Sequence, residues 1–307
     1  MNKDIVTYLI LWLHPSYIIF SKNIIILILC NINYNKYIYK CGILDRKKLF
    51  NRALEHDNHD IVELLLKLRI HVNDDDNTKA LERACFHNSY SIVKLLLEHG
   101  TNIHAINHAL RHACFHGYYD IAKILIENGA NIHELDDYSL RYASERCHHH
   151  IVKLLIENGA NLHAQNNYAL NVTSYYGYYN IVKLLLENGA DIHANDDYSL
   201  YLACSNNQLR SIKLLIKSGA NIHAANDRAL LKACKKGHCD TVRLLIKYGA
   251  NIRANNSEVL RVALHNRNYA IVRLLLENGA NINDVDNEAS KYALSEKNYF
   301  DVAIILM

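Results

Sequence analysis

The sequence predicts an all-α protein, a solenoid of about nine helix-turn-helix repeats of 30 residues each, joined by short fingers. Two columns of residues carry that reading. Gly129, Gly159, Gly189, Gly219, Gly249 and Gly279 recur at a constant step of 30, and Gly100 joins the series 29 residues before Gly129. In phase with them runs a leucine column: Leu81, Leu110, Leu140, Leu170, Leu200, Leu230 and Leu260. Phe50 opens that column and Ser290 closes it, which makes nine copies. Half of the chain is hydrophobic, enough apolar surface for a long core.

Each copy divides into two helices. In the first, Leu110, Ala113 and Cys114 stand at i, i+3 and i+4, one apolar stripe on a short helix. Three residues before each leucine stand Thr78, Asn107, Asp137, Asn167, Asp197, Asp227 and Ser257. All are good N-cap residues, with an oxygen able to accept from the free N–H groups of a first turn, so a cap is expected there. The second helix, as in Ile181-Val182-Lys183-Leu184-Leu185-Leu186-Glu187, is apolar over a wide arc. Lys183 and Glu187 remain on its wet side as an i,i+4 pair. Gly189 then supplies the left-handed residue that stops the helix. So small a unit cannot bury both helices alone, and stacked copies form one apolar seam held by nearest-neighbour contacts. Ser290, with Lys291, Glu296 and Lys297, suits a last copy whose outer face meets water.

Residues 1–48 fall outside the repeat phase, so the chain divides into an N-terminal apolar segment (1–48) and a repeat domain (49–307). The apolar runs IVTYLILWL (5–13) and NIIILIL (23–29) are each shorter than the roughly 20 residues a spanning helix needs. The first run also lacks the cleavage site of a signal peptide. A degenerate cap packed on the first copy is expected, with a membrane anchor as the alternative.

The net charge of +3, with acids and bases interspersed, argues against a dedicated nucleic-acid or anionic-membrane binder. Four of the eight cysteines (Cys85, Cys114, Cys204 and Cys234) hold one position in different copies of the repeat, as small core residues often do. Such thiols are expected to stay reduced, which suits a cytoplasmic protein. The 21 tyrosines, the abundance of asparagine and isoleucine and the single proline, Pro15, follow AT-rich codon usage.

Gly237-His238-Cys239-Asp240 with Val242-Arg243-Leu244-Leu245 resembles the G-H-x-D/E-I-V-x-L-L run of the ankyrin repeat, and Asn188-Gly189-Ala190-Asp191-Ile192 resembles its N-G-A-D-V turn. The resemblance covers roughly residues 49–307. The family's D-x-x-G-x-T-P-L-H is replaced by Asp196-Asp197-Tyr198-Ser199-Leu200, three residues shorter, which implies shortened fingers. Within the family, the 30-residue, Asn- and Ile-rich version is most similar to paralogous sets in giant DNA viruses of amoebae. The resemblance implies a monomeric, non-enzymatic scaffold that holds another protein, a host protein in the viral case, in a concave groove.

The sequence offers no Gly-rich phosphate loop, nucleophile elbow or paired carboxylates, so no catalytic residue and no cofactor is expected. The histidine column His104, His133, His163, His193 and His223 invites a metal reading. Stacked helices lie about 8–10 Å apart, however, and zinc needs ligand nitrogens at about 2.0–2.1 Å. Bracing of the finger is the expected role, and the same spacing argument leaves no metal site. His148-His149-His150 is placed in an inter-helix turn.

The informative positions are those where copies disagree. Two residues after the Ala-Cys pair, turned away from the seam, read Phe86-His87, Phe115-His116, Glu145-Arg146, Tyr175-Tyr176 and Lys235-Lys236 in successive or later copies. By the resemblance these positions line the groove, and the finger adds Tyr138, Tyr168 and Tyr198. Phe86, His87, Phe115, His116, Arg146, Tyr175, Tyr176, Tyr138, Tyr168, Tyr198, Lys235 and Lys236 are therefore the expected partner contacts, aromatic in the middle copies and basic toward Lys235. The competing reading is that AT-rich coding scatters tyrosine and that Phe86 and Phe115 are partly buried. Lys232, Lys235 and Lys236 would be the centre of any nucleic-acid contact.

Overall fold

The computed structural model describes residues 46–67 and 74–284, and these residues are helical with no strand among them. The apolar runs of residues 1–45, Ser290 and the last copy of the repeat lie outside the described residues. Among the described residues, no helix is long and apolar enough to cross a membrane. The chain forms two compact units, Met1–Ala105 and Ile106–Met307.

The first unit contains two helix pairs: α1 (Arg46–Glu55) with α2 (His59–Lys67), and α3 (Asp74–Phe86) with α4 (Tyr90–Glu98). The next helix, α5 (Ile103–His116), carries the division between the units, and α6 (Tyr119–Glu127) follows it. The second unit continues with α7 (Glu134–Glu145) and α8 (His149–Glu157), then α9 (Ala164–Tyr176) and α10 (Tyr179–Glu187). After these come α11 (Ala194–Ser205), α12 (Leu209–Lys217), α13 (Ala224–Lys236) and α14 (Cys239–Lys247). The last pair is α15 (Ala254–His265) and α16 (Tyr269–Glu277), before a short 3-10 turn at Ile282–Asp284. Eight helix pairs are thus described, one for each of the first eight expected copies.

Within the second unit the first helices pack in sequence, α7 on α9, α9 on α11, α11 on α13 and α13 on α15, and the second helices form a parallel row. The leucine column lies at the centre, with Leu110, Leu140, Leu170, Leu230 and Leu260 fully buried and Leu200 nearly so. Burying a leucine contributes roughly 1.5–3 kcal/mol, so the column is a strong recurrent source of stability. Ala113, Cys114, Ala203, Cys204, Ala233 and Cys234 complete the stripe with no exposed surface. The expected Lys183–Glu187 pair forms on the wet side at 3.6 Å.

The glycine stop works as the spacing predicts. Gly189 adopts φ 90°. Its N–H donates to Leu186 C=O at 3.2 Å, and the Ala190 N–H donates to Leu185 C=O at 3.0 Å. That nested pair is a Schellman closure, and it buries Ala190 against the helix it ends.

The fingers hold a feature that spacing does not announce. Four successive fingers each place three residues in the left-handed region: Leu135–Asp137, Gln165–Asn167, Asn195–Asp197 and Ala225–Asp227, with φ between 47° and 61°. Left-handed helix costs about 1–2 kcal/mol per residue, and Asn and Asp tolerate it best. Nine of these twelve residues are Asn or Asp. The left-handed finger therefore accounts for some of the asparagine, beyond codon usage.

The expected N-caps are corrected. Asp137, Asn167, Asp197 and Asp227 stand before the right-handed part of their helices and Asn107 stands within the first turns of α5, but the oxygens of all five turn to the following module. They accept from the backbone N–H groups of Asn131, Asn161, Asp191, Asn221 and Asn251, each 24 residues downstream, at 2.8–3.0 Å. The cap oxygen is more valuable there, because the receiving loop has no helix of its own to satisfy its donors. The column residues are buried, with Asp197 only 5 % exposed. Thr78 lies where no side chain is described.

Two outcomes follow. Asp197→Ala should destabilise the protein by about 1–3 kcal/mol, since it orphans a donor beside a buried site. Hydrogen exchange should show the Asn221 amide losing protection first, while Asp197→Asn, which copies the natural Asn167, keeps most of it. Burial also pushes the thiols of Cys85, Cys114 and Cys234 up to about 12, from an ordinary value near 9. These thiols stay neutral when folded and ionise when unfolded, so their contribution is complete below about pH 9 and is lost as pH climbs toward 12. Thermal melts between pH 8 and 11 should fall more steeply for the native chain than for a variant with Cys114, Cys204 and Cys234 replaced by alanine.

Candidate functional site

The first helices of the second unit expose one flank that the leucine seam does not use, and the fingers border it. Phe115, at the end of α5, is half-buried, and the Arg146 guanidinium lies 4.3 Å from its ring centre. His116 stacks on Tyr118 at 5.6 Å. Tyr138 of the finger stacks on Tyr142 at 4.0 Å. Arg141 lies 5.8 Å from the Tyr138 ring and 5.7 Å from that of Tyr168. It is held there by the finger itself, donating from Nε to Asp136 C=O at 3.0 Å and from Nη2 to Leu135 C=O at 2.9 Å. The left-handed finger thus aims two carbonyls at a side chain on the groove flank.

Tyr168 donates its hydroxyl to Glu145 Oε2 at 3.0 Å. Burial, together with that carboxylate, pushes the Tyr168 phenol up to about 12. Beside it opens a cavity of about 350 Å³, lined by Tyr168, Tyr175, Tyr176, Tyr198, Asn171 and Leu202, with Glu145 the one charged residue in its wall. Tyr175 and Tyr176 are 37 % and 44 % exposed and meet edge to face at 5.1 Å. Tyr198 stacks on Tyr201 at 5.4 Å. Arg228 lies 4.0 Å from the Tyr201 ring and 5.5 Å from Tyr198, and the Lys232 ammonium lies 5.5 Å from Tyr201. Burial alone would raise the Tyr201 phenol, but hydrogen bonds and positive charge from Lys232 and Arg228 outweigh it and lower the value. Lys235 and Lys236 are exposed at the end of α13.

The expected contacts in the second unit therefore gather on one flank: Phe115, His116, Tyr138, Arg146, Tyr168, Tyr175, Tyr176, Tyr198, Lys235 and Lys236. Phe86 and His87 belong to the first unit. There Phe86 is 64 % exposed, not partly buried as the competing reading had it, and meets His87 edge to face at 5.4 Å. Phe115 is the residue for which partial burial holds. Tyr142, Arg141, Tyr201 and Arg228 were missing from the expected set. Their signal was present, since Tyr142 follows Tyr138 by four residues, Tyr201 follows Tyr198 by three, and Arg228 occupies the finger column of the three tyrosines.

The histidine column braces the fingers where its partner is aspartate. The Nδ1–H groups of His133, His193 and His223 donate to Asp137, Asp197 and Asp227 at 3.1–3.2 Å. Among the described residues, no three His, Cys, Asp or Glu side chains converge as ligands of one metal ion. His148 precedes α8 while His149 and His150 begin it, rather than all three forming the turn. His148 Nε2–H donates to the Phe115 carbonyl at 3.0 Å, a tie back to the preceding module. The same tie recurs from His238 to Ser205 at 3.1 Å.

The family model for ankyrin repeats matches residues 2–107, 110–196 and 200–286. The crystal structure of the human ASB11 ankyrin repeat domain is similar with a TM-score of 0.55 at 22 % identity, over 64 % of this chain and 96 % of that one. At that identity the likeness concerns the fold alone. No curated protein matches, so the narrower viral resemblance gains no support there.

The two tyrosines offer a check on this geometry. In a titration followed by NMR of ring-labelled tyrosine, Tyr201 should ionise below the ordinary phenol value of about 10, while Tyr168 remains protonated beyond it. Glu145→Gln should bring Tyr168 back toward the ordinary value, because it removes the charge that opposes ionisation.

Proposed function

The chain belongs to the ankyrin-repeat family, and on that premise we propose that it is a non-enzymatic scaffold that holds a partner protein against the first-helix flank of residues 106–284. Ankyrin repeats mediate protein–protein interaction. The observation that carries the finer reading is the cavity bounded by Tyr168, Tyr175, Tyr176 and Tyr198. The seam does not need these rings, since the leucine column and its small neighbours already fill the core. Exposed aromatic side chains gathered around an open hollow are the usual anchors of a protein interface.

Reduced, buried thiols at Cys114, Cys204 and Cys234 are consistent with work in a reducing compartment, so the cytoplasm is the proposed location. The resemblance to viral paralogues would make the partner a host protein.

The test is a triple substitution, Phe115, Tyr175 and Tyr176 to serine. Cross-linking in the native cell followed by mass spectrometry identifies partners of the unaltered chain, and purified partner is then titrated against both forms. Binding should weaken by at least about tenfold, with the circular dichroism spectrum retained. Equal binding by a folded variant would show that the partner sits elsewhere.

A further inference from the structure

The groove flank is not uniform in charge. Helix α13 carries Arg228, Lys232, Lys235 and Lys236 at i, i+4, i+7 and i+8, which places all four on one side of the helix. Lys232 is half-buried and the other three are exposed. Three cations on exposed second-helix faces of the unit are paired with carboxylates: Lys153 with Glu157 at 3.7 Å, Lys183 with Glu187 at 3.6 Å, and Arg273 with Glu277 at 2.8 Å. Among the described residues no carboxylate pairs with any of the four on α13.

Two of the four are held in place. Arg228 and Lys232 lie over the Tyr201 ring at 4.0 and 5.5 Å, and their charge lowers its phenol. An ionised carboxylate is a stronger partner for these cations than a ring face, and cations already immobilised lose little entropy on meeting one. Tyr198 joins this basic wall to the aromatic cavity, since it takes Arg228 at 5.5 Å and also lines the hollow.

We propose that this end of the groove receives an acidic polypeptide segment. Its Asp or Glu side chains lie against Arg228, Lys232, Lys235 and Lys236, and an aromatic or apolar side chain of the same segment enters the cavity beside Tyr198. The inference rests on the groove reading and adds the chemistry of the partner. A nucleic-acid backbone fits less well. The four cations span about 12 Å along one helix, and the adjoining cavity, with Glu145 as its one charge, suits the uncharged side chain of a mixed peptide better than the continuous run of phosphates in a nucleic-acid backbone.

The experiment uses the full chain and three fluorescein-labelled probes: a synthetic peptide of repeating Asp-Glu-Tyr, its Lys-Lys-Tyr counterpart, and an oligothymidylate of equal charge to the acidic peptide. Fluorescence anisotropy should show the acidic peptide binding, with the basic peptide and the oligothymidylate at least about tenfold weaker. Replacing Arg228, Lys232, Lys235 and Lys236 by glutamine should weaken the acidic peptide about tenfold or more. The same replacement at Lys213, Lys217, Arg243 and Lys247, exposed on α12 and α14, should leave it unchanged. Because Arg228 touches Tyr201, the milder K235Q/K236Q pair is included, with a loss of about threefold expected. Equal losses from the two fourfold variants, or equal binding by the oligothymidylate, would overturn the proposal. If the native partner still depends on Tyr175 and Tyr176 while the acidic peptide fails to bind, the groove reading stands and this inference falls.

Discussion

One side-chain oxygen per module keeps the row in register. The apolar seam supplies more free energy, but hydrophobic contact is non-directional and tolerates sliding between similar surfaces. The bond from Asp137 to the Asn161 N–H does not, since a displacement of an ångström or so forfeits it. Its copies at Asn107, Asn167, Asp197 and Asp227 fix each loop against the module before it. Where the column residue is aspartate, histidine locks the carboxylate from the other side. Every groove residue is placed relative to its neighbours through this chain of bonds.

The left-handed finger is the second constraint, and it links folding to the groove. The finger turns through three left-handed residues, which the chain fills mostly with Asn and Asp. The resulting carbonyl directions are used. Arg141 takes those of Leu135 and Asp136, and Asn171 donates to that of Asn166 at 2.9 Å. Both side chains occupy the same position on the first helix, one residue after the leucine. What costs backbone energy in the finger is recovered partly as order on the first-helix flank.

Much of this was legible in the sequence, for definite reasons. Leu140 and Gly159 announce a buried face and a helix end because each requirement is local and recurs with the period. Asp137 was recognised as a hydrogen-bond acceptor, but its donor lies 24 residues away in another module, and spacing cannot distinguish that donor from the N–H groups of its own first turn. The left-handed run Asn195–Asp197 was hidden for another reason, since its asparagine and aspartate were indistinguishable from codon usage. At the site, Tyr175 and Tyr176 were found because they face away from the seam. Arg228 was not, because its importance comes from the ring of Tyr201 beneath it, a relation between two copies rather than within one.

The first-helix flank is distinguished by order rather than by exposure. Tyrosine recurs in several columns of this chain, including the starts of second helices at Tyr119 and Tyr179, so its abundance alone distinguishes no surface. On the first-helix flank the rings are held. Tyr176 lies between the edge of Tyr175 and the face of Tyr178, 5.1 and 5.5 Å away, and Tyr198 is stacked on Tyr201 under a guanidinium. Side chains fixed in this way have already lost the rotamer freedom that a partner would otherwise have to remove on binding. The same contacts leave a hollow between them unfilled, although the neighbouring leucines are packed to full burial. The first-helix flank thus holds a pre-ordered aromatic hollow open beside the positive charge of Arg228 and Lys232, although the core behind it is closed.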